Sequence, residues 1–231
     1  MIFEQLFDQK SSTYTYIIAS GEGREALIID PVIEHSDEYS TILKNLDLKL
    51  VKVIDTHIHA DHISALNELN KRTNCIRVMG EKSKSEVIDL RIKDGEKINV
   101  EEVELQAIYT PGHTDCSYSF LMNDRVFTGD TLLINGSGRT DFQNGNAYDA
   151  YDSIFNKLLK LPEKTFVFPA HDYNGKKFST IENEKNKNPR LQVSSKEEYA
   201  DIMNNLNLAN PKMMDVAVPA NVKGLTLDNI N

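Results

Sequence analysis

Thr56-His57-Ile58-His59-Ala60-Asp61-His62 follows the largely β-branched run Leu50-Val51-Lys52-Val53-Ile54 and sets four metal-ligating side chains within six residues. In an extended or tightly turned segment residues two apart point the same way, so His57, His59 and Asp61 can converge while His62 reaches in from the next turn. Imidazole and carboxylate are ligands that suit iron and zinc. A polar loop that merely caps a helix is the plainer reading, and the distribution of histidine argues against it. The chain holds six histidines, and three of them lie in this heptad. His113 and His171 each occupy a loop bounded by proline or glycine after a strand-like run, and only His35 lies outside such a setting.

Outward from the heptad, the pattern alternates strands and helices. Thr13 to Ile18 and Glu25 to Ile29 read as a hairpin joined through Ser20-Gly21-Glu22-Gly23. Tyr39, Ile42, Leu43 and Leu46 recur at helical spacing, and Ile63, Leu66 and Leu69 mark a second helix after the heptad. Strands are expected at Ile76 to Met79, Val103 to Tyr109, Ser117 to Met122, Arg125 to Thr128 and Thr165 to Phe168. The stretch Val87 to Val100 is short-patterned and charged, with a turn at Asp94-Gly95, and Asn135 to Asn146 is a glycine-rich loop without periodicity. Tyr148, Tyr151, Ile154, Phe155, Leu158 and Leu159 form an amphipathic helix closed by Pro162, and Ser195 with Glu198 offers a capping box for another. Ligands at strand ends, in His57, His113, Asp130 and His171, give a catalytic layout.

A chain of 231 residues, 40% hydrophobic and 26% charged, is expected to fold as one α/β domain over residues 1–231. Its net charge of -9 removes the electrostatic footprint of a nucleic-acid binder, and no basic cluster suggests membrane attachment. The expected partner is a small molecule, with a homodimer left open. Cys75 and Cys116 make no disulfide framework and read as buried residues of a reducing compartment. The start, Met1 to Asp8, has no basic region or long apolar stretch, and no segment approaches the ~20 apolar residues of a bilayer span. A cytoplasmic protein is expected.

The order His-x-His-x-Asp-His, Pro111-Gly112-His113-Thr114, Thr128-Gly129-Asp130 and Pro169-Ala170-His171 resembles the metallo-β-lactamase superfamily, which implies an αββα sandwich with a metal site at one edge. Phe127 to Ile134, Gly138-Arg139-Thr140-Asp141-Phe142-Gln143, Pro169 to Tyr173, Asn188-Pro189-Arg190-Leu191, Asn205 to Leu208 and Ala217-Val218-Pro219-Ala220-Asn221 resemble the persulfide dioxygenase family within it. Ser137 stands where that family often has a cysteine, and a cysteine near the final Val-Pro-Ala-Asn is absent, which removes thiols on which regulation would rest. No length remains for an added sulfurtransferase domain.

The resemblance implies one Fe(II) per chain held by His57, His113 and Asp130, with open positions for persulfide sulfur and O2. His59, Asp61, His62 and His171 would orient ligands and move protons, and the products from glutathione persulfide would be sulfite and glutathione. Arg139 and Arg190, helped by Tyr173, would hold the glutathione carboxylates, although both guanidinium groups could instead brace loops. Asp172 is expected to accept structural hydrogen bonds. A glyoxalase II-like hydrolase would use the same residues for two metals, with His59 joining the first, Asp61, His62 and His171 holding the second, and Asp130 bridging. A metal-dependent binding or sensing module without turnover would need a missing ligand or a filled pocket, and the sequence displays neither.

Overall fold

The computed structural model describes residues 1–209, 211 and 213–230. In chain order these form β1 (Ile2–Asp8), β2 (Thr13–Ala19), β3 (Glu25–Ile29), α1 (Ser36–Asn45), β4 (Lys49–Ile54), α2 (Leu66–Thr73), β5 (Ile76–Gly80), β6 (Leu90–Ile92), β7 (Lys97–Val100), β8 (Val103–Tyr109), β9 (Tyr118–Met122) and β10 (Arg125–Gly129). There follow α3 (Ala147–Asn156), β11 (Phe166–Pro169), β12 (Ser179–Thr180), α4 (Ile181–Lys187), α5 (Lys196–Asn204), α6 (Met214–Lys223) and α7 (Leu227–Ile230). One six-stranded sheet runs β1-β2-β3-β4-β5-β6 and the other β12-β11-β10-β9-β8-β7. The first three strands pair antiparallel, whereas β3, β4, β5 and β6 pair parallel, each parallel step crossing over through α1, α2 or the segment after β5.

Side-chain alternation sorts the interior into three layers. On β2, Tyr14, Tyr16 and Ile18 face the second sheet, where they meet Tyr118, Phe120, Phe127 and Phe168. The alternate residues Ile17 and Ala19 face the other way, into a layer with Tyr39 and Leu43 of α1, Leu66 and Leu69 of α2, and Ala217 and Ala220 of α6. Val126 and Val167 likewise turn away from the sheet interface onto Ile154 of α3, Ile181 of α4 and Tyr199 of α5. Sheets covered on both faces explain why β2 and β3 read as nearly unbroken apolar runs, and the result is the expected αββα sandwich.

Several boundaries differ from the sequence expectation. Ile63 precedes α2 instead of opening it, because Ser64 Oγ accepts from Leu66 N (3.1 Å) and itself donates to Asp55 (2.9 Å), which fixes the helix start at Leu66. Ser195 caps α5 by accepting from Glu198 N (3.1 Å), but Glu198 returns its carboxylate to Ser194 N (2.7 Å), so the box closes one residue early.

Candidate active site

β4 ends at Ile54, and the chain then enters the heptad loop, with Asp30 at the end of the neighbouring β3 as its internal anchor. Asp30 is buried with φ 51°, and its carboxylate accepts from Thr56 N (2.7 Å), Thr56 Oγ1 (3.0 Å) and His59 Nε2 (3.2 Å). Burial drives its pKa up to about 6 against these hydrogen bonds. Asn221 of α6 clamps the loop from the other side. Its Nδ2 donates to His59 O (2.9 Å) and His62 O (3.0 Å), and its Oδ1 accepts from Ser64 N (2.8 Å). Neither anchor was identified from the sequence; the final Pro-Ala-Asn motif marked Asn221 without its task.

His57, His113 and Asp130 form one cluster whose ligand atoms lie within 4.8 Å of one another. His57 Nδ1 lies 3.0 Å from Thr56 Oγ1 and His113 Nδ1 donates to Arg139 O (2.8 Å), which leaves the Nε2 atoms for the centre. Asp130 Oδ1 is buried without a hydrogen-bond partner among the described residues, as are His59 Nδ1 and His62 Nε2. Burial, then the neighbouring imidazoles, holds His57 and His59 well below the ordinary value of 6.5, so both are neutral lone-pair donors. Orphaned acceptors, neutral imidazoles and outer hydrogen bonds that orient them are what a bound cation requires, and the residues fit one. His59, Asp61 and His62 form a second close group. There, Asp61 Oδ2 already accepts from Thr13 Oγ1 (3.1 Å) and faces His62 Nδ1 at 2.9 Å.

His171 follows β11, and its Nδ1 donates to Ser12 O (3.1 Å). That bond turns Nε2 towards Asp61 (3.5 Å) and Asp130 (3.6 Å). Burial disfavours its charge, but the two carboxylates outweigh burial and hold its pKa up to about 10. Two glycines let the loops close in. A Cβ on Gly129 would stand 2.6 Å from Thr56 Oγ1, and one on Gly138 would stand 2.0 Å from Asp130 O.

A cavity of about 270 Å³ opens beside the cluster and is lined by Asp61, His113, Asp130, His171 and, further out, Arg139, Tyr173 and Arg190. A larger open groove of about 580 Å³ near Phe178 and Lys187 includes none of the clustered ligands. Tyr173 is exposed at the rim, its ring parallel to His171 (centroids 6.1 Å apart, 5° between planes). Asp172 accepts from Asn174 N (2.8 Å) and Lys176 N (2.7 Å), which shapes this rim as expected of a structural acceptor. The two arginines differ. Arg139 gives its fork to Asp141 (2.7 and 2.8 Å), reaches Ala209 O (2.7 Å) and lies over Phe142. Arg190 donates to Ser137 O and has no carboxylate partner among the described residues. Burial lowers its pKa with no carboxylate to oppose it.

The metallo-β-lactamase superfamily model matches residues 9–89 and 80–171. The mouse protein named persulfide dioxygenase ETHE1, mitochondrial, is 42% identical over 226 residues, spanning 96% of this chain and 88% of that one. The crystal structure of ETHE1 from Myxococcus xanthus superposes with a TM-score of 0.94 at 49% identity, over 96% of this chain and 98% of its own. Similarity to a hydroxyacylglutathione hydrolase of Dictyostelium discoideum is lower, at 29% over 77% of this chain and 69% of that one.

Proposed function

The chain belongs to the persulfide dioxygenase family of the metallo-β-lactamase superfamily, and from that premise we propose that it oxidises the outer sulfur of glutathione persulfide. In the overall reaction one persulfide, one O2 and one water give one thiol, one sulfite and two protons, the sulfur losing four electrons to O2. The observation that carries this reading is the convergence of His57, His113 and Asp130 beside a cavity that Arg190 also lines.

One Fe(II) per chain on that triad would supply a centre at which O2 and the substrate sulfur meet. The remaining work belongs to the polypeptide. His171, its Nδ1 fixed by Ser12 O, can deliver or accept a proton at Nε2 beside the reacting atoms. Asp61 and His62 share a hydrogen bond beside it, while His59 is held through Asp30 and lines the centre. Arg190, free of a carboxylate partner among the described residues, offers its fork to a glutathione carboxylate. Tyr173 covers the rim, and Arg139 shapes the wall through Asp141. A reducing compartment, the cytoplasm in our reading, is supported by the buried free thiols Cys75 and Cys116, and no helix among the described residues is long and apolar enough to cross a membrane.

The test is oxygen uptake. Anaerobically purified protein should consume O2 and release sulfite on glutathione persulfide, and hydrolyse S-lactoylglutathione negligibly. Rapid thioester hydrolysis without persulfide-dependent O2 uptake would replace this reading with the two-metal hydrolase.

A further inference from the structure

Behind Asp61 lies a second cavity, of about 370 Å³, which among the described residues shares only that one with the substrate cavity. Asp8, Ser11, Glu34 and His62 also line it. Along its wall runs a continuous series of polar contacts. Thr13 Oγ1 lies 3.1 Å from Asp61 Oδ2, Ser11 Oγ 2.7 Å from Thr13 Oγ1, and Asp8 Oδ2 2.6 Å from Ser11 Oγ. The other oxygen of Asp8 lies 2.9 Å from His35 Nε2, and His35 Nδ1 lies 2.9 Å from Glu38. Thr13 is fully buried, Asp8 nearly so, and the His35 side chain is 31% exposed, so the series leads from the interior to solvent.

We propose that Thr13, Ser11, Asp8 and His35 form a proton path between the active site and solvent, a role that rests on the persulfide reaction proposed above. That reaction releases two protons in a cavity whose front would be filled by the glutathione portion of the persulfide. The hydrogen count suits transfer. Between Asp61 and Asp8 there are three links, whereas the two hydroxyls bring only two hydrogens. A proton arriving on the Asp61 side completes the third link; Thr13 then passes its hydrogen to Ser11, Ser11 passes its own to Asp8, and the proton leaves through His35. No bond other than O–H and N–H is made or broken. The backbone is arranged for it. Ser12, between the two hydroxyl residues, takes φ 59°, a left-handed conformation unfavourable for a non-glycine residue, and its carbonyl is the one that holds His171.

The path is tested with iron-loaded Ser11→Ala and His35→Gln, each checked for iron content and folding, by O2 uptake in weak and in strong buffer. In weak buffer kcat should fall by about tenfold, a fraction of the usual worth of positioned proton transfer, with KM unchanged. Added imidazole should restore it, and the solvent isotope effect on kcat should rise. Metal-free protein gives an independent readout: the Thr13 hydroxyl should exchange slowly enough to yield a proton resonance with a cross-peak to Ser11, lost in Ser11→Ala. Full activity of both variants in weak buffer, or a loss that imidazole does not restore, would overturn the path while leaving the reaction standing. Wild-type protein without persulfide-dependent O2 uptake would instead refute the reaction.

Discussion

Replacing Asn221 with alanine should destabilise the protein by about 3 kcal/mol and loosen the loop that carries the ligands. Asn221 makes three hydrogen bonds to backbone groups of the heptad loop, at 2.8, 2.9 and 3.0 Å, from a helix 157 or more residues away in sequence. A net contribution of about 1 kcal/mol per bond sets the estimate, and the two carbonyls and one amide left unpaired in a largely buried setting push it upward. Asn221→Asp separates the terms. It keeps the acceptor for Ser64 N but turns the donor into a second acceptor facing two carbonyls, so at neutral pH it should cost at least as much as alanine. Urea unfolding of metal-free protein measures both, and metal titration should show about tenfold weaker binding, the usual loss when an outer hydrogen bond to a site is removed. An Asn221→Ala midpoint within about 0.5 kcal/mol of wild type, the size of an ordinary surface substitution, would refute the clamp.

Arg190→Ala should raise KM for glutathione persulfide and cost about 1.5 to 3 kcal/mol in kcat/KM, the worth of a hydrogen bond to a charged group, at normal iron content. Arg139→Ala should cost less in KM, because Asp141 already occupies that fork; O2-uptake kinetics that reverse this order would assign the carboxylate to Arg139. Asp8 bears on acid stability. Burial alone would raise its pKa, but the Ser11 hydrogen bonds and His35 outweigh it and hold the carboxyl below the ordinary 3.8. Its contribution is therefore present above about pH 4 and is lost as pH falls through the lower folded value, so Asp8→Asn should lose on the order of 1 kcal/mol near neutrality and converge with wild type in acid. A constant difference across that range in urea unfolding would contradict the linkage.

The residues that carry periodicity or a motif were legible in the sequence. β2 and β3 run apolar or buried throughout because both faces of their sheet are covered there, β8 alternates because Glu104 and Gln106 face solvent, and the heptad, His113, Asp130 and His171 fall at strand ends where the topology gathers them. β1 and β6 were not foreseen. β1 is an edge strand with most residues half-exposed, so neither face is cleanly apolar, and β6 has three residues of which only Ile92 is buried. α6 was hidden by Pro219, which reads as a breaker yet lies within the helix between the buried Ala217 and Ala220. At the site, sequence could mark Arg139 and Arg190 but could not divide their roles, since that depends on Asp141 reaching one fork and no carboxylate, among the described residues, reaching the other. Asp30 and Thr13 carry no motif at all. Their importance is purely spatial: one sits at the end of the adjacent strand and the other behind Asp61.

Metal content per chain decides between a single iron on His57, His113 and Asp130 and a two-metal centre. Anaerobically purified protein should hold one iron per chain, lose it on substitution of any one of the three, and retain it in His171→Ala. Two zinc ions per chain, one of them lost in His171→Ala, would rule out the single iron and make the site a dinuclear hydrolase centre.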